Sequence, residues 1–196
     1  FYTPGSEARK VVGGVADEVV AALNDLGQCL ERPNTYGAGT GITYNSEYLK
    51  VVWDRLVRNS GATVLLHSWI QDVSVRGGSL RSFTAATKQG LISIRAKQFV
   101  DASGDADLAW FSGSACELAG EHEDAQGLTT TFKVVNVDVA RRMSLSKRDF
   151  HQRMESAAAN GLYKLPRKEG SDHRTPVAGM LVKNITRVQS YERDGA

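Results

Sequence analysis

Cysteine is scarce in this chain: only Cys29 and Cys116 occur, far apart and outside any CxxC pair, so no thiolate metal motif or dithiol redox motif is present. Two free thiols fit a reducing, cytoplasmic setting better than a disulfide does. Long apolar runs are missing too; none approaches the ~20 residues that a membrane span requires. Neither sign of charge dominates, with 24 basic against 22 acidic residues and a net charge of +2. The one basic cluster, Lys164, Arg167, Lys168 and Arg174, comes without a recognition motif and reads as a solvated loop, so no nucleic-acid partner is expected. There is no GxSxG elbow, HExxH helix or P-loop, which leaves hydrolase and NTPase readings without support. Internal repeats and low-complexity segments are also lacking. The opening Phe1-Tyr2-Thr3-Pro4-Gly5-Ser6 has no initiating Met and no signal-peptide pattern, and reads as a cut end.

What is present is ordinary globular material. The chain has 196 residues, 41% of them hydrophobic and 23% charged, enough for one good core or two small ones. Val15, Val19, Leu23 and Leu26 recur at helical spacing and predict a helix over 14–26, ended by Gly27. Residues 33–41 predict an irregular, Gly-rich loop. A second helix starts at Asn45 or Ser46 and runs through Asn59, carrying Leu49, Val52, Trp53, Leu56 and Val57 before Ser60-Gly61 stops it. The pattern then changes to strands. Thr63 to His67 predicts a short apolar strand. Trp69–Val75, Leu80–Thr87 and Leu91–Ala96, separated by glycine-bearing turns, predict a three-stranded antiparallel meander. Gln98–Asp101 predicts a buried strand. Further on, Leu128–Val137 and Met180–Val188 read as strands, and Val139–Met143 and Lys147–Asn160 as helices.

The most informative stretch is Phe99-Val100-Asp101-Ala102-Ser103-Gly104-Asp105-Ala106-Asp107. It reads as a strand entering a small-residue turn, with Asp105 and Asp107 in the first turn of the helix that follows. Bulk is removed at Ala-Ser-Gly, so a ligand or another backbone can come close. A strand, a tight turn and a helix start together suit phosphate groups. The three aspartates do not make a cation loop, because Ser103 holds the third position and the distal Glu is absent. Glu121-His122-Glu123-Asp124 reads as a solvated loop rather than a ligand cluster, so no metal is expected. For His67 an active-site base and a satisfied core histidine both stand, and the second is favoured.

Four segments carry a family resemblance: Val12–Glu18; Tyr44–Lys50 with Asp54-Arg55-Leu56 and Gly61–His67; Phe99–Ala109; and Asn184-Ile185-Thr186-Arg187-Val188. On these the chain resembles the FAD-dependent oxidoreductase family with the glutathione-reductase-type two-domain flavoprotein fold. The resemblance implies FAD as cofactor and a small-molecule substrate. It implies an α/β fold: part of a Rossmann-like FAD/NAD(P)-binding parallel sheet with the antiparallel meander, plus part of a mixed α+β substrate domain. Residues 1–115 would form the cofactor side and 116–196 the substrate side. Ala102, Ser103, Gly104 and Asp105 would line the cofactor, with Ser103 where the family usually has Thr. Trp69 and Ile70 would lie where the backbone approaches the adenine. His173 and Arg174, and separately Arg187, are the catalytic candidates, since Arg and His together can fix a substrate anion and polarise the reacting carbon.

The family's GxGxxG turn does not occur here. Gly37-Ala38-Gly39-Thr40-Gly41 is no substitute, because Ile42 stands where the last Gly is needed and no predicted strand precedes it. The chain therefore reads as an internal piece of a flavoprotein passing a hydride between a small organic molecule and FAD. The alternative is a non-catalytic fragment or degenerate homologue acting as a scaffold or interaction module.

Overall fold

Helix α1 (Val15–Asp25) buries Val19 and Leu23 and ends in a left-handed Gly27 at φ 64°. Gly27 N–H donates to Asn24 O and Gln28 N–H to Leu23 O, both at 2.8 Å, which satisfies two of the helix's last carbonyls. Strand β1 (Cys29–Pro33) follows at once and pairs antiparallel with β2 (Thr40–Tyr44), from Cys29↔Tyr44 to Pro33↔Thr40. Of the loop expected over 33–41, Pro33, Thr40 and Gly41 are instead strand residues of this hairpin. Its sequence hid it because Leu30-Glu31-Arg32 has no strict alternation and β2 opens Thr-Gly. Helix α2 (Ser46–Asn59) is capped by Asn45, whose Oδ1 accepts from Glu47 N–H at 3.1 Å. Val52 of α2 joins Val19 and Leu23 in a core flanked by Ala22, Leu26, Cys29, Leu49 and Leu56. Trp53, expected on that face, is 44% exposed.

This computed structural model describes residues 2–3, 7–34, 39–121, 126–161, 163–165 and 169–187. Expectations for Gly37, Ala38, His122–Asp124, Arg167, Lys168 and Val188 lie outside them. The chain divides into two compact units, Phe1–Gly61 with Gln126–Ala196, and Ala62–Ala125.

The second unit is built on the meander, as expected: β3 (Trp69–Arg76), β4 (Ser79–Thr87) and β5 (Gly90–Arg95) are joined in that order, all antiparallel. Gly77 and Gly78 turn the first hairpin at φ 58° and 71°. Ala85 is buried on β4, and α3 (Asp107–Phe111) packs on β3 through the buried Leu108. Two strand expectations fail. Thr63–His67 and Gln98–Asp101 take part in no pairing among the described residues, and Leu66 and Val100 are 74% and 87% exposed. Their apolar character invites a strand reading, but without a neighbouring backbone there is no ladder to satisfy it. His67 sits exposed at φ 54°, so it is not the core histidine that was favoured.

Back in the first unit, β6 (Phe132–Val134), α4 (Val139–Met143), α5 (Lys147–Ala159), β7 (Ser171–Arg174) and β8 (Leu181–Asn184) complete the elements. The helices match expectation, α5 with a reciprocal Ser146/Asp149 capping box. The strands expected over 128–137 and 180–188 shrink to β6 and β8. In their place Thr129 and Thr130 bond to Thr186: Thr130 N–H donates to Thr186 Oγ1 at 2.9 Å and Thr129 Oγ1 to Thr186 O at 2.9 Å. Sheet order is β6-β8-β7, antiparallel throughout, with Leu181 fully buried. The fold is therefore α/β with antiparallel sheets. The parallel sheet expected for a Rossmann-like domain is not among the described residues, because each described pairing joins antiparallel strands.

Candidate functional site

The Asp-Ala-Ser-Gly-Asp turn of the second unit is organised by Asp101. Its Oδ1 accepts from Ser103 Oγ at 2.7 Å and Ser103 N–H at 3.1 Å, and its Oδ2 from Ala109 N–H at 3.0 Å. These donors, the Ser103 hydroxyl foremost and then the backbone of Ala109, hold the carboxyl below its usual range. Ser103 Oγ in turn accepts from Asp107 N–H at 2.8 Å. The hydroxyl at 103 is thus a keystone, linking the end of the extended segment to the start of α3. Helix α3 begins at Asp107 behind a left-handed Ala106 (φ 58°), so Asp105 precedes the helix instead of sitting in its first turn. With only five residues, α3 contributes little dipole, and the expected carboxylate–dipole pairing of Asp105 does not form.

What the turn offers is backbone. Gly104 lies at φ 97°, and a Cβ there would meet nothing within 4 Å. Residues 102–105 are exposed, and no described residue accepts from the Gly104 or Asp105 N–H groups. Amides presented in succession around positive-φ residues make a concavity suited to phosphate oxygens. Trp69, 70% exposed, and half-buried Ile70 open β3, the strand on which α3 packs. The second unit therefore holds all six cofactor candidates, two at the start of β3 and four in the turn that precedes α3.

The catalytic candidates fall in the first unit. Ser-Asp-His-Arg, expected as loop, is strand β7; its residues are polar on both faces, so no alternation marked it. The pleat separates His173 from its neighbours. On one face Asp172 is 6% exposed and receives Arg142 and Lys183, each with a 2.6 Å bond. On the other, half-buried His173 lines a cavity of about 320 Å³. Arg174 is exposed and does not line it, and neither does half-buried Arg187, just beyond β8. Of the three candidates, the cavity takes only His173.

The cavity wall is shared by the β1–β2 hairpin, the start of α2 and the β6-β8-β7 sheet. Arg32, Lys133 and His173 are its basic groups; Ile42, Phe132, Met180 and Val182 are apolar. Arg32 Nε donates to Thr43 Oγ1 at 3.2 Å, and Lys133 Nζ to Ser46 Oγ at 2.6 Å. Burial pushes the His173 imidazole below its ordinary range, and the Arg32 charge acts the same way against an opposing pull from Asp172. Sequence reasoning missed Arg32 and Lys133, because nothing local marks them and only the tertiary fold brings them to His173. Burial, and then Glu31, push the Cys29 thiol up.

Among the described residues no group of His, Cys, Asp and Glu could hold a metal ion, and no helix is long and apolar enough to cross a membrane. Comparison with curated proteins and with solved structures returns no match. The family model described as FAD dependent oxidoreductase matches residues 1–193. That span covers the turn, the meander and the cavity alike, and the chain belongs to the FAD-dependent oxidoreductase family.

Proposed function

We propose that this protein transfers a hydride between a small organic substrate and FAD. The family match over residues 1–193 carries the reading, because it spans both the Asp101–Asp107 turn and the cavity at His173. When bound, the flavin ring supplies the two-electron chemistry, and the protein's share is binding, orientation and electrostatics. Gly104 and Asp105 present backbone N–H groups to a phosphate, while Asp101 and Ser103 fix the turn that aims them. Ala102 leaves room beside them, and Trp69 and Ile70 give a flat, partly apolar edge for a base.

The substrate side takes His173 as proton acceptor, since a neutral imidazole can accept a proton as a carbon gives up hydride. As a functional division, residues 1–115 serve the cofactor and 116–196 the substrate, except that Arg32 and the β1–β2 hairpin join the substrate cavity.

An absorption spectrum of the purified full-length protein tests the proposal. Flavin bands, intrinsic or restored by added FAD, are expected. A colourless protein that takes up no FAD contradicts it.

A further inference from the structure

The cavity beside His173 has a composition that selects its ligand. Three basic side chains reach it from three different strands: Arg32 from β1, Lys133 from β6 and His173 from β7. Among the described residues no Asp or Glu lines it. Two acids close by are ion-paired. Asp172 is turned to the opposite face of β7 and held by Arg142 and Lys183. Glu47 pairs with Lys50 at 2.7 Å and more loosely with Lys133 at 3.5 Å. The hydroxyls of Thr43, Ser46, Thr131 and Thr175 add polar groups to the wall, although Thr175 Oγ1 is itself spent on Met180 O at 3.0 Å.

Ile42, Phe132, Met180 and Val182 line the same cavity, Val182 as the cross-strand partner of both Lys133 and His173. A fully hydrated inorganic anion would leave those apolar side chains facing water. A neutral apolar molecule would strip water from Lys133 and Arg32 without replacing it. A molecule with one anionic head and a short apolar body satisfies both sets of side chains. At about 320 Å³ the space lies at the small end of ligand cavities.

We propose that this cavity binds a small organic carboxylate, its head between Lys133, Arg32 and His173 and its apolar body against Ile42, Phe132, Met180 and Val182. That this carboxylate is the molecule oxidised or reduced rests on the flavoenzyme reading above; that it binds here does not. Lys133 is the discriminating group, because its ammonium is half-exposed and can swing from Ser46 Oγ to an incoming carboxylate.

Calorimetric titration of the full-length protein with hexanoate and, separately, with neutral hexanamide tests the inference, alongside FAD uptake read by absorption. Hexanoate is expected to bind about tenfold or more tightly than hexanamide, a charge-assisted contact being the difference. Lys133→Met should erase that preference and Lys133→Arg should keep it. Equal affinity for the two ligands, or no saturable binding of hexanoate, overturns the inference even if FAD is taken up, and the flavoenzyme reading then stands alone. Preferential hexanoate binding without FAD uptake sustains the anion site and removes only its link to redox chemistry.

Discussion

Arg142 grips Asp172 with both arms of its guanidinium: Nε donates to Oδ2 at 2.6 Å and Nη2 to Oδ1 at 2.9 Å. The pair is nearly enclosed, Arg142 at 13% and Asp172 at 6% exposure, and Arg142 also lies 4.3 Å from the centre of the Phe150 ring. It ties α4 and α5 to β7 and so fixes which face of that strand His173 occupies. Asp172→Ala leaves two buried cations without their carboxylate, and should cost about 3 kcal/mol in urea unfolding. Arg142→Lys cannot reproduce the fork and should cost a substantial part of that. An Asp172→Ala protein as stable as wild type would show that the pair does not hold the strand.

Gly170, just before β7, is a packing constraint. A Cβ there would stand 2.2 Å from Ile185 Cγ2 and 3.2 Å from Ile185 Cα, and part of that contact is backbone. Gly170→Ala should destabilise the protein by about 1–3 kcal/mol, as overpacking does. Pairing it with Ile185→Ala should recover only part of the loss, because the backbone contact stays. Thermal unfolding of the single and double variants measures both.

At the cofactor turn, Ser103→Ala removes the hydroxyl that donates to Asp101 and accepts from Asp107 N–H. Asp101 should then titrate closer to an ordinary carboxylate. Its contribution to stability, present above the unfolded aspartate pKa and lost as pH falls through the depressed folded value, should shrink. Ser103→Thr keeps the hydroxyl and should leave the titration in place. An NMR pH titration of the Asp101 carboxyl carbon in the three proteins decides the matter.

His173 gives the clearest pH signature. Its folded value lies below the ordinary imidazole range through burial first and then Arg32, so the unfolded chain binds a proton before the folded one does. Its stability contribution is complete above about pH 6.5 and is lost as pH falls through the folded value. The charged groups acting on it are Arg32 and, in the opposite direction, Asp172. The His173 ring resonances should titrate below the ordinary imidazole range. Arg32→Gln should raise the midpoint only in part, because burial stays.

The helices were legible because Leu23, Val52 and their neighbours recur at a period that only a helix can bury. The meander was legible because Gly77-Gly78 and Lys88-Gln89-Gly90 punctuate it. The Thr63–His67 and Gln98–Asp101 segments misled, since apolar content shows that burial is favourable and not that a pairing strand stands alongside. β7 went unseen because its four residues are all polar; a salt bridge to distant Arg142 defines its buried face. The turn's small residues were readable, whereas the role of Asp101 in organising it was not, since the carboxylate reaches forward eight residues to Ala109. Arg32 and Lys133 lie 101 residues apart in sequence and meet at His173 only through the packing of two sheets, which no local pattern encodes.

Equilibrium uptake of FAD by the full-length protein, compared with a Gly104→Val variant, tests the central claim most directly. A β-branched residue at φ 97° would distort the turn and place bulk in the open space beside its amides, without touching the packed interior. Saturable FAD uptake by wild type, weakened about tenfold or more in Gly104→Val with the circular dichroism unchanged, is the predicted result. Failure of the wild-type protein to take up FAD, or equal uptake by both, would contradict the assignment of this turn as the cofactor's wall.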